Sequence, residues 1–156
     1  MKKARLSSIL IAVLMLAVAV IAEAQQPKKI PRIGFLGALS PSSILARIEA
    51  FRQGLRELGY VEGKNLVIEY RWAEGKFDRV PALAAELVQL KVEVIVTAGP
   101  TDTRAAKQAT VTIPIVMGFD NDPVGSGFVA SLAQPGGNIT GLSTLSPEIS
   151  GKRRSF

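Results

Sequence analysis

Two kinds of apolar pattern alternate along residues 32–142, and this alternation restricts the fold more than any other feature of the chain. Short runs at 32–37, 66–72, 92–97, 113–117 and 138–142 have the length and composition of strands. Between the first two, Ile44, Ile48, Phe51, Leu55 and Leu58 recur at steps of three and four. Val80, Leu83, Ala84, Leu87 and Val88 repeat that stripe between the second and third, and both stripes predict amphipathic helices. Gly59 suits the left-handed stop after the first helix, and Asp78 a cap before the second. A polar, Ala-rich third helix is predicted over 101–110 and a short fourth near 125–133, ended by Gln134-Pro135-Gly136-Gly137. Strand–helix alternation of this kind predicts an α/β fold, an open parallel sheet of about five strands with helices on both faces. The run at 92–97 is mostly apolar and reads as a strand covered on both faces. Residues 66–72 alternate, with Leu66, Ile68, Tyr70 and Trp72 opposite Val67, Glu69 and Arg71, which puts that strand near an edge.

The chain begins with a segment of another kind. Lys2, Lys3 and Arg5 precede an unbroken apolar run of 14 residues, Ile9 to Ala22, and Ala22-Glu23-Ala24 then places small residues where a signal peptidase reads. This is the three-part pattern of a secretory leader. The run is shorter than the ~20 residues that span a bilayer core. The expected division is therefore a signal peptide at 1–24, an α/β lobe at 25–145, and at 146–156 the start of a crossover helix headed by Ser146-Pro147-Glu148. Cleavage near Ala24 makes the product periplasmic or secreted.

The formal charge of +6 invites a nucleic-acid reading, but its distribution argues against one. Residues 1–24 hold three basic side chains and one acidic, and Lys152, Arg153 and Arg154 supply three more at the far end. Residues 25–151 hold 13 basic against 12 acidic side chains, with no basic stripe interleaved with aromatics. The chain has no Cys and no His, which excludes thiolate nucleophiles, Cys/His zinc sites, disulfides and Ser-His-Asp triads. There is no GxxxxGK[ST] loop, and Gly34-x-x-Gly37 lacks the GxGxxG spacing. No catalytic residue, cofactor or metal is expected.

Ligands of open α/β sheets bind beyond the carboxyl ends of the strands, at the switch point of the topology. Three turns reach that edge: Leu39-Ser40-Pro41-Ser42-Ser43, Thr97-Ala98-Gly99-Pro100-Thr101-Asp102-Thr103, and Phe119-Asp120-Asn121-Asp122. The first two bring hydroxyls to helix N-termini, where free N–H groups favour an anion. The third brings carboxylates suited to an ammonium or hydroxyl. Together they suit a zwitterion or small polar metabolite. Ser42 or Ser43, Thr101 or Asp102, and Asp122 are each better explained as plain helix caps, whereas Asp120 is less easily so explained. Asp120 with Asp122 could also form a glycosidase-like acid/base couple or a hard-metal site, though without a third ligand. Tyr70 and Trp72 read as packing residues, and Asn138-Ile139-Thr140 matches a glycosylation sequon.

Several long segments, in order, resemble one family. FRQGLRELGYVEGKNLVIEYRWAEGKFDRVPALAAELVQLKVEVIVTAG at 51–99, RAAKQAT at 104–110, IPIVM at 113–117 and DPVGSGFVASLAQPGGNITGLS at 122–143 are similar to the family of ABC-transporter substrate-binding proteins that includes tryptophan/tyrosine-type uptake proteins and many members of unknown ligand. The resemblance covers about 30–152. It implies a type I periplasmic-binding-protein architecture, in which two α/β lobes close on a small solute and deliver it to a membrane ABC permease. It places ligand contacts at Ser40 and Ser42, at Thr97, Gly99 and Thr101, and at Asp120. This chain has Thr-Ala-Gly-Pro-Thr where relatives often have Gly-Gly-Thr, so the solute's identity does not transfer. Relatives continue the helix that starts at Ser146 into a second lobe. Here Lys152 is followed by Arg153-Arg154-Ser155-Phe156, the ending expected of a truncated form. The resemblance thus implies the solute-binding component of an ABC importer for a small polar solute, with an amino acid among the candidates. The competing readings are an exported α/β hydrolase-like enzyme using Asp120 and Asp122, and a remnant that binds nothing.

Overall fold

The computed structural model describes residues 29–143. The predicted signal peptide, its cleavage site and the helix expected from Ser146 lie outside the described residues. The strands are β1 (Arg32–Gly37), β2 (Val67–Trp72), β3 (Val94–Thr97), β4 (Ile115–Asp120) and β5 (Ile139–Ser143). The helices are α1 (Leu45–Glu57), α2 (Val80–Gln89) and α3 (Pro100–Ala109). A single 3-10 turn leads into α1 at Pro41–Ile44 and another into α2 at Phe77–Arg79.

All four strand pairings are parallel, in the order β2-β1-β3-β4-β5. The α/β class and the five-strand parallel sheet are therefore as the sequence predicts, and the alternating run forms the edge strand β2. α1 lies on one face. Its Ile48 packs with Phe35, Leu66, Ile68 and Val96, and Phe51 and Leu55 join them. Leu58, the last member of the predicted stripe, is 76% exposed because the helix ends at Glu57. α2 and α3 lie on the other face, over a larger core that includes Leu36, Val80, Leu87, Ile95, Ala106, Ile115 and Met117.

Two local expectations are corrected. No helix forms near 125–133: the chain is turns and bends there. Asp122 Oδ1 accepts the Gly125 N–H at 2.8 Å, and Ser131 Oγ accepts the Gln134 N–H at 2.9 Å. Such local bonds compete with a helical ladder, and Gly125 and Gly127 weaken the helix further. Nor does Asp78 cap α2: it lies within the 3-10 turn, and no side-chain cap bond is formed there.

The α2 stripe anchors the larger core. Leu87 is fully buried. Leu87→Ala should lower the unfolding free energy by about 3 kcal/mol, the lost transfer energy plus the cavity left behind. Urea denaturation followed by circular dichroism measures this. A loss below ~1 kcal/mol would mean that α2 does not hold the core as described.

Candidate functional site

The chain places β2 on one side of β1 and β3 on the other, so the loops that follow β1 and β3 diverge and leave a crevice. A cleft of about 270 Å³ lies there. One wall is Gly37, Ala38 and Leu39, directly after β1. The facing wall is Ala98, Gly99, Pro100, Thr101 and Asp102, where β3 runs into α3. Trp72, Phe77 and Phe119 supply aromatic surface, and Arg47 of α1 supplies a positive charge.

Each element explains its contribution. Parallel register sets Trp72, the last residue of β2, beside Gly37, the last residue of β1. A Cβ at position 37 would lie 2.2 Å from Trp72 Cζ3, so the indole rests where only a glycine leaves room. Tyr70 stacks with Trp72 at 6.1 Å between centroids, and the Phe35 ring lies 5.3 Å from it. The Arg47 guanidinium sits 4.7 Å from the centre of the Phe119 ring, within cation–π range, and makes no ion pair among the described residues. α3 begins with Gly99 as N-cap and Pro100 at its first position, without a side-chain cap. Helix geometry leaves its first-turn N–H groups without intrahelical acceptors, a local preference for negative charge.

Asp102, in that first turn, is 3% exposed. Burial pushes its pKa up from 3.8 to about 7, against the opposite pull of the nearby backbone N–H groups of Ala38, Gly99 and Ala98. Its Oδ1 has no hydrogen-bond partner.

The residues predicted as ligand contacts are not all brought together. Gly99 and Thr101 line the cleft. Ser40 and Ser42 are not part of its lining. Ser40 Oγ is 2.9 Å from Ser42 Oγ and 3.0 Å from Ser43 Oγ, so these hydroxyls serve one another. Thr97 is fully buried, and its hydroxyl pairs with Thr103 Oγ1 at 2.7 Å, which in turn donates to the Gly99 carbonyl. It borders a separate apolar cavity of about 360 Å³ on the α1 face. Asp120 is 1% exposed and outside the lining of both cavities. Its Oδ1 accepts the Asp122 N–H at 2.7 Å, a turn-stabilising bond. Asp120 and Asp122 thus each hold a backbone N–H, and among the described residues no group of three potential ligands could hold a metal. The Asn138 amide donates to the Ile113 carbonyl at 2.8 Å, which makes it a strap between strands.

Trp72 and Asp102 are the cleft residues that sequence reasoning missed as such. Trp72 read as packing because its place beside Gly37 depends on register between strands some 35 residues apart. Asp102 read as a cap, but α3 begins without a side-chain cap bond. Its burial in the cleft lining is a property of the assembled loops.

Comparison with known proteins agrees with this architecture. Residues 32–150 match the family described as ABC transporter substrate binding protein. A tyrosine-binding protein of Clostridioides difficile (strain R20291) is 33% identical over 116 residues, which are 74% of this chain and 34% of that protein. A conserved domain protein from Vibrio cholerae superimposes with a TM-score of 0.72 and 35% identity, over 79% of this chain and 42% of the other. A domain from Streptococcus pneumoniae, solved in complex with L-Trp, does so with a TM-score of 0.69 and 29% identity, over 72% and 38%. The chain spans less than half the length of each of these relatives. The sheet, its strand order and the extent of the match lead to one assignment: the chain belongs to the ABC transporter substrate-binding protein family.

Proposed function

We propose that this chain supplies one lobe of the solute-binding component of an ABC importer, and that its cleft takes an amino acid with an aromatic side chain. The observation that carries this reading is the make-up of the cleft. Trp72, Phe77 and Phe119 offer ring surface, while Arg47 and the N-terminus of α3 offer positive potential to a carboxylate. An apolar wall with a few convergent polar groups is the usual form of a small-molecule site. The tyrosine-binding and L-Trp-bound relatives support the same ligand class. The proposed setting is the periplasm or cell exterior, reached through the leader at 1–24, with a membrane permease as partner. No helix among the described residues is long and apolar enough to cross a membrane.

Calorimetric titration with L-tryptophan, L-tyrosine, a hexose and a polyamine tests the assignment. Saturable heat is expected with the two amino acids alone. Arg47→Ala should weaken that binding about tenfold, the loss of one charge-assisted contact. Equal or stronger binding of the sugar or polyamine, or an unchanged affinity in Arg47→Ala, would contradict it.

A further inference from the structure

Arg47 and Asp102 are the charged side chains that line the cleft, and they carry opposite signs. They reach it from opposite faces of the sheet, Arg47 on α1 and Asp102 in the first turn of α3. Neither forms an ion pair with the other, or with any side chain among the described residues. Trp72 from the end of β2 and Phe119 from near the end of β4 stand to either side, because the strands run in the order β2-β1-β3-β4. Asp102 is the less satisfied of the two charges. Arg47 has the Phe119 ring beneath it, whereas Asp102 is 3% exposed and its Oδ1 has no hydrogen-bond partner. We propose that Asp102 is a ligand contact, its carboxylate accepting hydrogen bonds from the ammonium group of an amino acid whose own carboxylate is held by Arg47.

The alternatives for this carboxyl are weaker. Buried polar groups are ordinarily hydrogen-bonded, so an orphaned oxygen in a cleft wall points to a partner that arrives with the ligand. A capping role would give it a bond at the start of α3, and no side-chain cap is formed there. Asp120, to which the sequence gave the ammonium, lies outside the lining, and its Oδ1 holds the Asp122 N–H. A buried charge without a counter-charge is costly, and a cation beside Asp102 removes that cost. The same reasoning sets specificity. A ligand with a ring and a carboxylate but no ammonium satisfies Arg47 and leaves Asp102 as it was. A site built around such a polar contact discriminates strongly against the analogue that lacks it.

This inference rests on the cleft being an amino-acid site, and adds to it the demand for a free ammonium. The test titrates the full chain calorimetrically at pH 8, where the carboxyl is mostly ionised, with L-tryptophan and with indole-3-propionate. The second ligand keeps the ring and the carboxylate and lacks the ammonium. It should bind at least about tenfold more weakly, the loss of one charge-assisted contact. Asp102→Asn should weaken L-tryptophan by about the same factor and leave indole-3-propionate unchanged, whereas a merely structural role would weaken both. Equal affinity of the two ligands for the parent chain overturns the proposal, and decides the matter even if the variant fails to fold. An equal loss of both ligands in Asp102→Asn overturns it too. No heat from either ligand is a different failure: it removes the amino-acid reading of the cleft, and this proposal with it.

Discussion

Gly37→Ala is expected to expel the Trp72 indole from its seat and to abolish ligand binding. The added Cβ would stand 2.2 Å from Trp72 Cζ3 and 2.4 Å from Cε3, well inside contact distance. The ring has little room to yield sideways. Tyr70 stacks on it with planes 11° apart, and Phe35 lies against it at 5.3 Å. It must therefore swing into the cleft or out into solvent, and either movement removes an aromatic wall. Overpacking of this kind costs typically ~1–3 kcal/mol, with more lost if strands β1 and β2 separate. The readout is built in, because Trp72 is the only tryptophan in the chain. Its fluorescence should shift to the red, and titration with L-tyrosine should show no saturable change. The double variant Gly37→Ala/Trp72→Leu should recover much of the stability and none of the aromatic contact. Unchanged emission together with an unchanged melting temperature in Gly37→Ala would refute this account of the cleft wall.

The sheet was legible in the sequence for a local reason. Val94, Ile95 and Val96 are apolar on both sides, and β3 is indeed flanked by β1 and β4. Glu69 and Arg71 interrupt the apolar pattern of β2, and their charges fit an edge, where they pair with each other at 3.6 Å. The site was less legible, because its parts are set by distances that periodicity does not encode. Ser40 and Ser42 have the right chemistry and the right loop, yet they bond within their own turn. Trp72 has no local mark of function and reaches the cleft through strand pairing. The failed helix near 125–133 belongs to an intermediate case. Its Gly residues were visible, but the capture of the Gly125 N–H by Asp122 was a choice between two local structures.

Asp102→Asn is expected to make the protein more stable than the parent at neutral pH and above. The folded carboxyl titrates at about 7, whereas an unburied one titrates near 3.8. Between those values the folded state holds more protons than the unfolded state, so stability falls as pH rises. The contribution is fully present below ~3.8 and is lost as pH climbs through ~7. A difference of roughly three pKa units corresponds to about 4 kcal/mol. An amide has the shape of the neutral acid and never ionises. The stability gap between variant and parent should therefore be small at pH 4 and approach its full size by pH 8, as measured by urea denaturation at each pH. Taking the gap between two proteins that share every other carboxylate cancels the remaining acid titrations. A gap that stays flat from pH 4 to pH 8, or a variant less stable at pH 8, would mean that Asp102 is not a buried, costly charge. The direction of this effect bears on function. A residue kept only for the stability of α3 would gain from the amide. The carboxylate weakens the fold at neutral pH, and it stands in the lining of the cleft, where a ligand site tolerates such a cost. The same substitution should therefore raise stability and lower ligand affinity at pH 8, an opposition that a purely structural role does not produce.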